Sequence, residues 1–192
     1  MTRDAVGMLP ARYYFDRGVL WNGDFHWFGT NYSTLCFDTD TERLRPSMPR
    51  IPANQEVMNK YDIWYFGEAG GNLCALCVNK AEAMLFDVFA LKSDYSEWVV
   101  KYRVDFAPLT RLYPEVKGLG FHVPCFVVDE EEKKARIVMS IKDTFISYDI
   151  NDMIFKELVE VGPVYSEVPG WGDSTWYRCY EAFPHVETLA SV

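Results

Sequence analysis

The chain has 192 residues, of which 49% are hydrophobic, so it is long enough and apolar enough to bury the core of one domain. Its net charge of −9, without a cluster of Lys and Arg, argues against nucleic acid as a partner, because phosphate binding requires a basic surface. No segment approaches the roughly 18 consecutive apolar residues of a membrane span, and Met1–Val6 does not begin a signal peptide. We therefore expect no membrane partner and a single domain over residues 1–192, with a flexible N-terminal segment at residues 1–14. Five cysteines without a secretory leader predict reduced thiols and a cytoplasmic or nuclear protein.

The first strand signals form two linked hairpins. Asn22-Gly23 separates two runs between Val19 and Phe28, and this dipeptide favours a type I′ turn because both central residues need a positive φ. A second hairpin extends from Leu35 to Leu44, with the polar segment Asp38–Glu42 in its turn. Two linked hairpins give four antiparallel strands, which make up one blade of a β-propeller.

Strand patterns continue through most of the remaining chain. The charged run Asp129–Lys134 predicts a solvated hairpin tip. Only Asn54–Asp62 and Asp152–Leu158 have weak helical character, so we expect an all-β fold with little helix. Apolar or alternating runs predict later strands at Leu73–Val78, Ala83–Leu91, Glu97–Val104, His122–Val128, Ala135–Ile141, Thr144–Ile150 and Ile154–Val161.

One pattern recurs three times. An apolar strand enters a polar turn at Phe37, Leu91 and Tyr148, with spacings of 54 and 57 residues, and an apolar or aromatic residue starts each return strand. Propeller repeats span about 40 to 50 residues, so the spacing indicates slightly long blades. With a degenerate fourth copy at Trp171–Val186, the pattern predicts a partial or small β-propeller of about three to four antiparallel four-stranded blades. Open strand edges would allow a homodimer.

The cysteines and histidines indicate no reactive site. Cys74 and Cys77 form a CxxC pair, but residues three apart on a strand point to opposite faces, so we expect buried thiols. His26 lies between two aromatic residues and is expected to pack in the core. Neither His122 nor His185 has a pattern that assigns it a role as a base. We predict no catalytic residue, no cofactor and no metal ligand.

Two loops carry weaker signals. Gly67–Gly71 lacks the helix that follows a phosphate-binding loop, so its double glycine is expected to form a tight turn at a strand entry. Asp38–Glu42 has alternate acids like a calcium loop, but it lacks the required glycine and the terminal glutamate. An enzyme that uses Asp38 and Asp40 would need carboxylates converging about 5 to 10 Å apart in a pocket.

The loop from Trp171 to Tyr177 combines large aromatic residues with glycine and polar residues, a composition typical of protein-binding hot spots. We predict that Trp171, Trp176 and Tyr177 bind a partner. Alternatively, Trp176 and Tyr177 begin a last strand that packs on the core.

Several motifs, in order, resemble the C-terminal F-box-associated domain of plant F-box proteins. The resemblance covers roughly residues 15–190, and its motifs are Gly18–Trp27, Cys36–Leu44, Gly71–Cys74, Leu91–Lys101 and Tyr180–Leu189. It implies a kelch-like propeller that captures a protein substrate for a Skp–cullin–F-box ubiquitin ligase. An F-box is a helical segment that docks the Skp adaptor, and Met1–Phe15 contains no such segment, so we expect no direct adaptor contact.

The leading hypothesis is therefore a non-enzymatic protein-interaction module that binds a substrate or partner subunit. The second is a binder of glycans or other small ligands, because the chain has six Trp and twelve Tyr that could stack against sugar rings. An enzyme is the third hypothesis.

Overall fold

The computed structural model describes residues 13–15, 18–52, 63–78, 84–118, 120–129, 133–142 and 144–160. Within these residues the fold is all-β, as predicted, and its strands form three four-stranded antiparallel sheets. Short 3-10 helices lie at Thr30–Tyr32, Ala107–Arg111 and Pro114–Gly118, and the described residues contain no α-helix.

Each sheet is a meander in which every strand pairs with the next strand along the chain. The first sheet contains β1 (Val19–Trp21), β2 (Asp24–Phe28), β3 (Thr34–Asp38) and β4 (Arg43–Leu44). The second contains β5 (Ile63–Ala69), β6 (Asn72–Val78), β7 (Leu85–Leu91) and β8 (Trp98–Asp105). The third contains β9 (His122–Asp129), β10 (Lys134–Ile141), β11 (Thr144–Asp149) and β12 (Ile154–Glu160).

The strand predictions are confirmed to within two residues, and two differences stand out. The predicted weak helix at Asp152–Leu158 is wrong, because β12 occupies Ile154–Glu160 and pairs with β11. Strand β5 was not predicted. The other weak helix, Asn54–Asp62, lies outside the described residues.

The predicted tight turns are present. Trp21 pairs with Asp24 across Asn22 and Gly23, whose φ values are 53° and 83°, as a type I′ turn requires. The double glycine, Gly70-Gly71, joins β5 to β6 with φ values of 52° and 69°. Asp129 and Lys134, the first and last residues of the charged run, pair with each other at the ends of β9 and β10.

The repeat marks one structural position in all three sheets. Phe37, Leu91 and Tyr148 lie on β3, β7 and β11, the third strand of each sheet. The turns that follow them lead to the fourth strand, and Phe37 pairs with Leu44 just as Tyr148 pairs with Phe155. The spacing of 54 and 57 residues is therefore the spacing of whole sheets.

Each of these three turns contains an aspartate that accepts a backbone hydrogen bond, and in the turn after Leu91 it is Asp94, which accepts the N–H of Ser96 at 2.9 Å. Asp38 Oδ1 accepts the N–H of Thr41 at 2.8 Å, and Asp149 Oδ1 accepts the N–H of Asn151 at 2.9 Å. These bonds satisfy backbone donors that the strand ladder does not pair. Asp38–Glu42 is thus a turn, as predicted.

The chain divides into two compact units, residues 1–103 and residues 104–192. In the first unit, aromatic residues join the first two sheets: the Phe28 and Phe66 rings lie 5.5 Å apart, and Trp21 Nε1 donates to Gly71 O at 2.8 Å. Buried residues of this core are Trp21, Tyr32, Ile51, Leu73, Ala75, Cys77, Phe89, Leu91 and Trp98. Tyr13, near the start of the described chain, forms an antiparallel bridge with Gly29.

The second unit has its own core around the third sheet. Phe106 is fully buried, with its ring 5.5 Å from that of Phe121 and 5.6 Å from that of Tyr148. The Tyr148 hydroxyl donates to Asp105 O at 2.8 Å, so this large buried ring has its polar atom satisfied.

Candidate interaction surface

The outer face of the first sheet is apolar and exposed. Leu20 pairs with Phe25, Phe25 with Phe37, and Phe37 with Leu44, so one row of apolar side chains crosses all four strands. The exposed fractions are 59% for Leu20, 41% for Phe25 and 46% for Leu44. Trp27, which is half-buried, extends the row along β2. We call this surface, defined by Leu20, Phe25, Trp27, Phe37 and Leu44, the outer apolar face.

Aromatic contacts hold the outer apolar face in place. The Trp27 ring stacks 6.1 Å from that of Phe25 and meets the Phe15 ring edge-on at 5.6 Å. Phe15 is itself 60% exposed. Exposed aromatic side chains that are already held rigid provide contact area for a partner and lose little side-chain entropy on binding.

The third sheet mixes polar and apolar side chains: β12 carries the exposed residues Ile154, Leu158 and Val159, and Ile154 pairs with Asp149. Arg136 Nε lies 3.8 Å from Asp149 Oδ2 on neighbouring strands, and Ser147 pairs with Lys156. These polar and charged side chains are what an antiparallel sheet presents when one face meets water. The outer apolar face of the first sheet differs because its paired positions on all four strands are apolar, and contiguous exposed apolar patches mark binding surfaces.

The inner face of the first sheet carries polar residues beside the buried aromatic residues Trp21 and Phe28. Side chains alternate along β2, so Asp24 and His26 point inward, where they are 6% and 0% exposed. Cys36 pairs directly with His26 and is 0% exposed. A carboxylate oxygen of Asp24, a ring nitrogen of His26 and Cys36 Sγ all lie within 4.8 Å of one another.

Asp24 is the centre of this inner cluster. Its Oδ2 accepts a hydrogen bond from the Tyr95 hydroxyl at 2.8 Å and from an Arg45 guanidinium nitrogen at 2.9 Å, and its Oδ1 accepts the Thr39 N–H at 3.2 Å. The Arg45 guanidinium also lies 4.3 Å from the centre of the Tyr95 ring. Tyr95 belongs to the turn between β7 and β8, so the cluster ties the first sheet to the second.

The electrostatics follow from burial and these contacts. Burial acts to raise the pKa of Asp24, but the hydrogen bonds from Tyr95 and Arg45 outweigh it and hold the pKa below its usual 3.8. Burial lowers the pKa of His26 from 6.5, so the ring is neutral. Burial, with the nearby Asp24 carboxylate, raises the pKa of Cys36 to about 11, which keeps the thiol protonated.

Of the cysteines and histidines that the sequence singled out, His26, His122 and the CxxC pair lie in the described part of the chain, and His122 is exposed at the start of β9. His26 is packed as predicted, with its ring stacked 5.7 Å from that of Tyr95. Cys74 and Cys77 are both buried on β6, as predicted, and burial raises the pKa of Cys74 to about 12. The predicted partner-binding residues Trp171, Trp176 and Tyr177 lie outside the described residues.

The described tryptophans bear on the hypothesis of a glycan binder. Trp21 and Trp98 are buried in the core of the first unit, so they offer no ring face to a ligand. Trp27 lies at the outer apolar face. Glycan binding stays a prediction.

The sequence of β2 shows which side chains share a face but not which face is buried. Alternation along β2 separates Phe25 and Trp27 from Asp24 and His26, and ordinary patterning would turn the aromatic residues inward. In the structure, Asp24 and His26 lie on the buried face and Phe25 and Trp27 on the outer face.

The described residues form three four-stranded antiparallel sheets, and the first of them carries an exposed apolar face. No helix within them is long and apolar enough to cross a membrane. The chain is similar to the F-box protein At5g07610 of Arabidopsis thaliana, with 26% identity over 190 residues, covering 93% of this chain and 44% of the relative. The chain thus spans less than half the length of that relative. No protein-family model matches the chain.

Proposed function

We propose that this chain is a non-enzymatic protein-interaction module that recognises a protein substrate or partner subunit, as the substrate-binding part of an F-box protein would. The observation that carries the proposal is the outer apolar face, which crosses all four strands of the first sheet with three side chains more than two fifths exposed. Apolar area removed from water contributes about 25 cal/mol per Å², so such a face favours association.

The orientation of β2 supports the same proposal. Burying Asp24 and His26 while Phe25 stays exposed is unfavourable for an isolated fold, because polar groups lose hydration and an aromatic ring remains in water. A partner that covers the outer apolar face would take the Phe25 ring out of water and so remove that cost.

The similarity to the Arabidopsis F-box protein supports a role connected with a ubiquitin ligase, and the relative extends well beyond the part that this chain matches. We also propose that the three sheets are blades of a kelch-like β-propeller, because each is a four-stranded meander with its repeat turn at the same position. The cytoplasm or the nucleus is the proposed location.

The test is affinity capture from plant lysate with three forms of the full chain, quantified by mass spectrometry. The forms are the wild type, a Leu20→Glu/Phe25→Glu variant, and a Val100→Glu/Leu112→Glu control. The control makes the same charge change at residues that are 49% and 66% exposed but lie outside the outer apolar face.

We expect at least one captured protein to be lost with Leu20→Glu/Phe25→Glu and retained with the control. Circular dichroism should show both variants folded, since all four side chains are exposed. If every captured protein binds both variants equally, the outer apolar face is not the recognition surface and the proposal fails.

A further inference from the structure

The inner cluster has the donor set of a metal site. We propose that Asp24, His26 and Cys36 bind one Zn²⁺ ion in the buried face of the first sheet. Nitrogen, sulfur and carboxylate oxygen are the three donor types that zinc takes in proteins. The three atoms already lie within 4.8 Å of one another, on two strands whose pairing fixes His26 opposite Cys36.

The hydrogen bonding of His26 supports the proposal independently. Its Nε2 lies 3.3 Å from Trp21 O, to which it can donate, and its Nδ1 is buried without a hydrogen-bond partner. Histidines that ligate metals usually donate their other ring N–H to a backbone carbonyl or a carboxylate, which orients the ring and leaves one lone pair for the metal. A buried ring nitrogen that stays unpaired costs free energy, and a bound cation would remove that cost.

The surroundings of Asp24 fit a ligating carboxylate. Arg45 and Tyr95 donate to its Oδ2, and the Thr39 N–H reaches its Oδ1 only at 3.2 Å. Cys36 Sγ also donates to Oδ2 at 3.7 Å, a bond that would be lost when the thiol is deprotonated to bind zinc. Carboxylates that bind metals are themselves fixed by such hydrogen bonds. A fourth small ligand, such as water, would complete a tetrahedral zinc.

The charge of the cluster also favours a cation. Arg45 lies within 3.3 Å of Asp38 as well as close to Asp24, so two carboxylates face one guanidinium and the cluster has a net charge of −1. Binding Zn²⁺ would release the thiol proton of Cys36 to solvent, because the thiolate is the ligand. The net change of +1 would bring the cluster to neutrality.

The test measures zinc bound to the full chain. The wild type, Cys36→Ser and the matched control Cys74→Ser are treated with chelator, dialysed and titrated with Zn²⁺ alone. Cys74 is an equally buried thiol on β6 whose sulfur lies 3.9 Å from Ala69 O. We expect one zinc per chain for the wild type and the control. Cys36→Ser should weaken zinc affinity by more than about 100-fold, because losing a metal ligand costs more than losing a residue that only hydrogen-bonds to a ligand.

A second measurement needs no variant and so does not depend on how a variant folds. Zn²⁺ should raise the midpoint of thermal unfolding of the wild type, because a ligand of the folded state stabilises it. Co²⁺ in place of Zn²⁺ should give a thiolate-to-metal charge-transfer band. Absence of a thermal shift, absence of that band, or equal zinc binding by Cys36→Ser would each overturn the proposal.

Discussion

Asp24→Ala should destabilise the first unit strongly. The substitution removes the acceptor of Tyr95 and Arg45, at 2.8 and 2.9 Å, from a position only 6% exposed. Hydrogen bonds to a charged group contribute about 1.5 to 3 kcal/mol each. The Arg45 side chain is 35% exposed, so water can replace the lost carboxylate. We therefore use the lower end of this energy range, about 1.5 kcal/mol for each hydrogen bond. We expect the free energy of unfolding to fall by about 3 kcal/mol, a large part of the roughly 5 to 15 kcal/mol of an ordinary domain.

The assay is urea unfolding followed by tryptophan fluorescence, in chelator so that no metal contributes. Asp40→Ala is the control, because Asp40 is exposed in the turn after β3 and its loss should change the free energy by no more than about 0.5 kcal/mol. A double-mutant cycle of Asp24→Ala with Tyr95→Phe should give a coupling of about 1 kcal/mol or more. A loss below about 1 kcal/mol for Asp24→Ala alone would refute the view that this carboxylate joins the first two sheets.

Three further predictions concern pH, a turn and a buried hydroxyl. Because burial lowers the pKa of His26 below 6.5, the unfolded chain binds a proton that the folded chain does not, so the free energy of unfolding should fall below pH 6.5 by up to about 1.4 kcal/mol per pH unit. His26→Gln should flatten that dependence in chemical unfolding carried out in chelator, and an unchanged dependence would contradict the role of His26. Gly23→Ala should cost about 1 kcal/mol in the same assay, since φ is +83° and no atom lies within 4 Å to clash; a neutral result would contradict the type I′ turn. Tyr148→Phe should lower the free energy of unfolding by about 1 kcal/mol, because the hydrogen bond from the Tyr148 hydroxyl to Asp105 O is lost. An unchanged midpoint of thermal unfolding in calorimetry would contradict a stabilising role for this hydrogen bond.

Local features of the fold were predictable from sequence. Asn22-Gly23 specifies its turn because the two residues tolerate positive φ, and no distant contact is needed. The polar turns after Phe37 and Tyr148 were likewise recognisable, since a solvated turn between buried strands has its own composition. These signals are confined to a few neighbouring residues.

The inner cluster was not predictable in the same way. The hydrogen bond from Tyr95 to Asp24 joins residues 71 positions apart, and the bond from Trp21 to Gly71 joins residues 50 positions apart. No local pattern specifies such pairs. The packed position of His26 was predicted, but its approach to Cys36 depends on the register between β2 and β3.

The outer apolar face was missed for a different reason. Alternation shows that Phe25 and Asp24 lie on opposite faces of β2, but it does not say which face is inside. Hydrophobicity would put the aromatic ring inside, and the contacts of Asp24 with Arg45 and Tyr95 reverse this choice. These tertiary hydrogen bonds and the burial of Phe28 on the same face together favour the observed orientation.

The most direct test of the central claim is the affinity of the purified chain for the partner identified by capture. By isothermal titration, Leu20→Glu/Phe25→Glu should weaken binding at least about 10-fold, a loss of about 1.4 kcal/mol, because it places charges in the apolar contact. Val100→Glu/Leu112→Glu should bind like the wild type. Equal affinity of all three forms would contradict the claim that this protein recognises its partner through the outer apolar face.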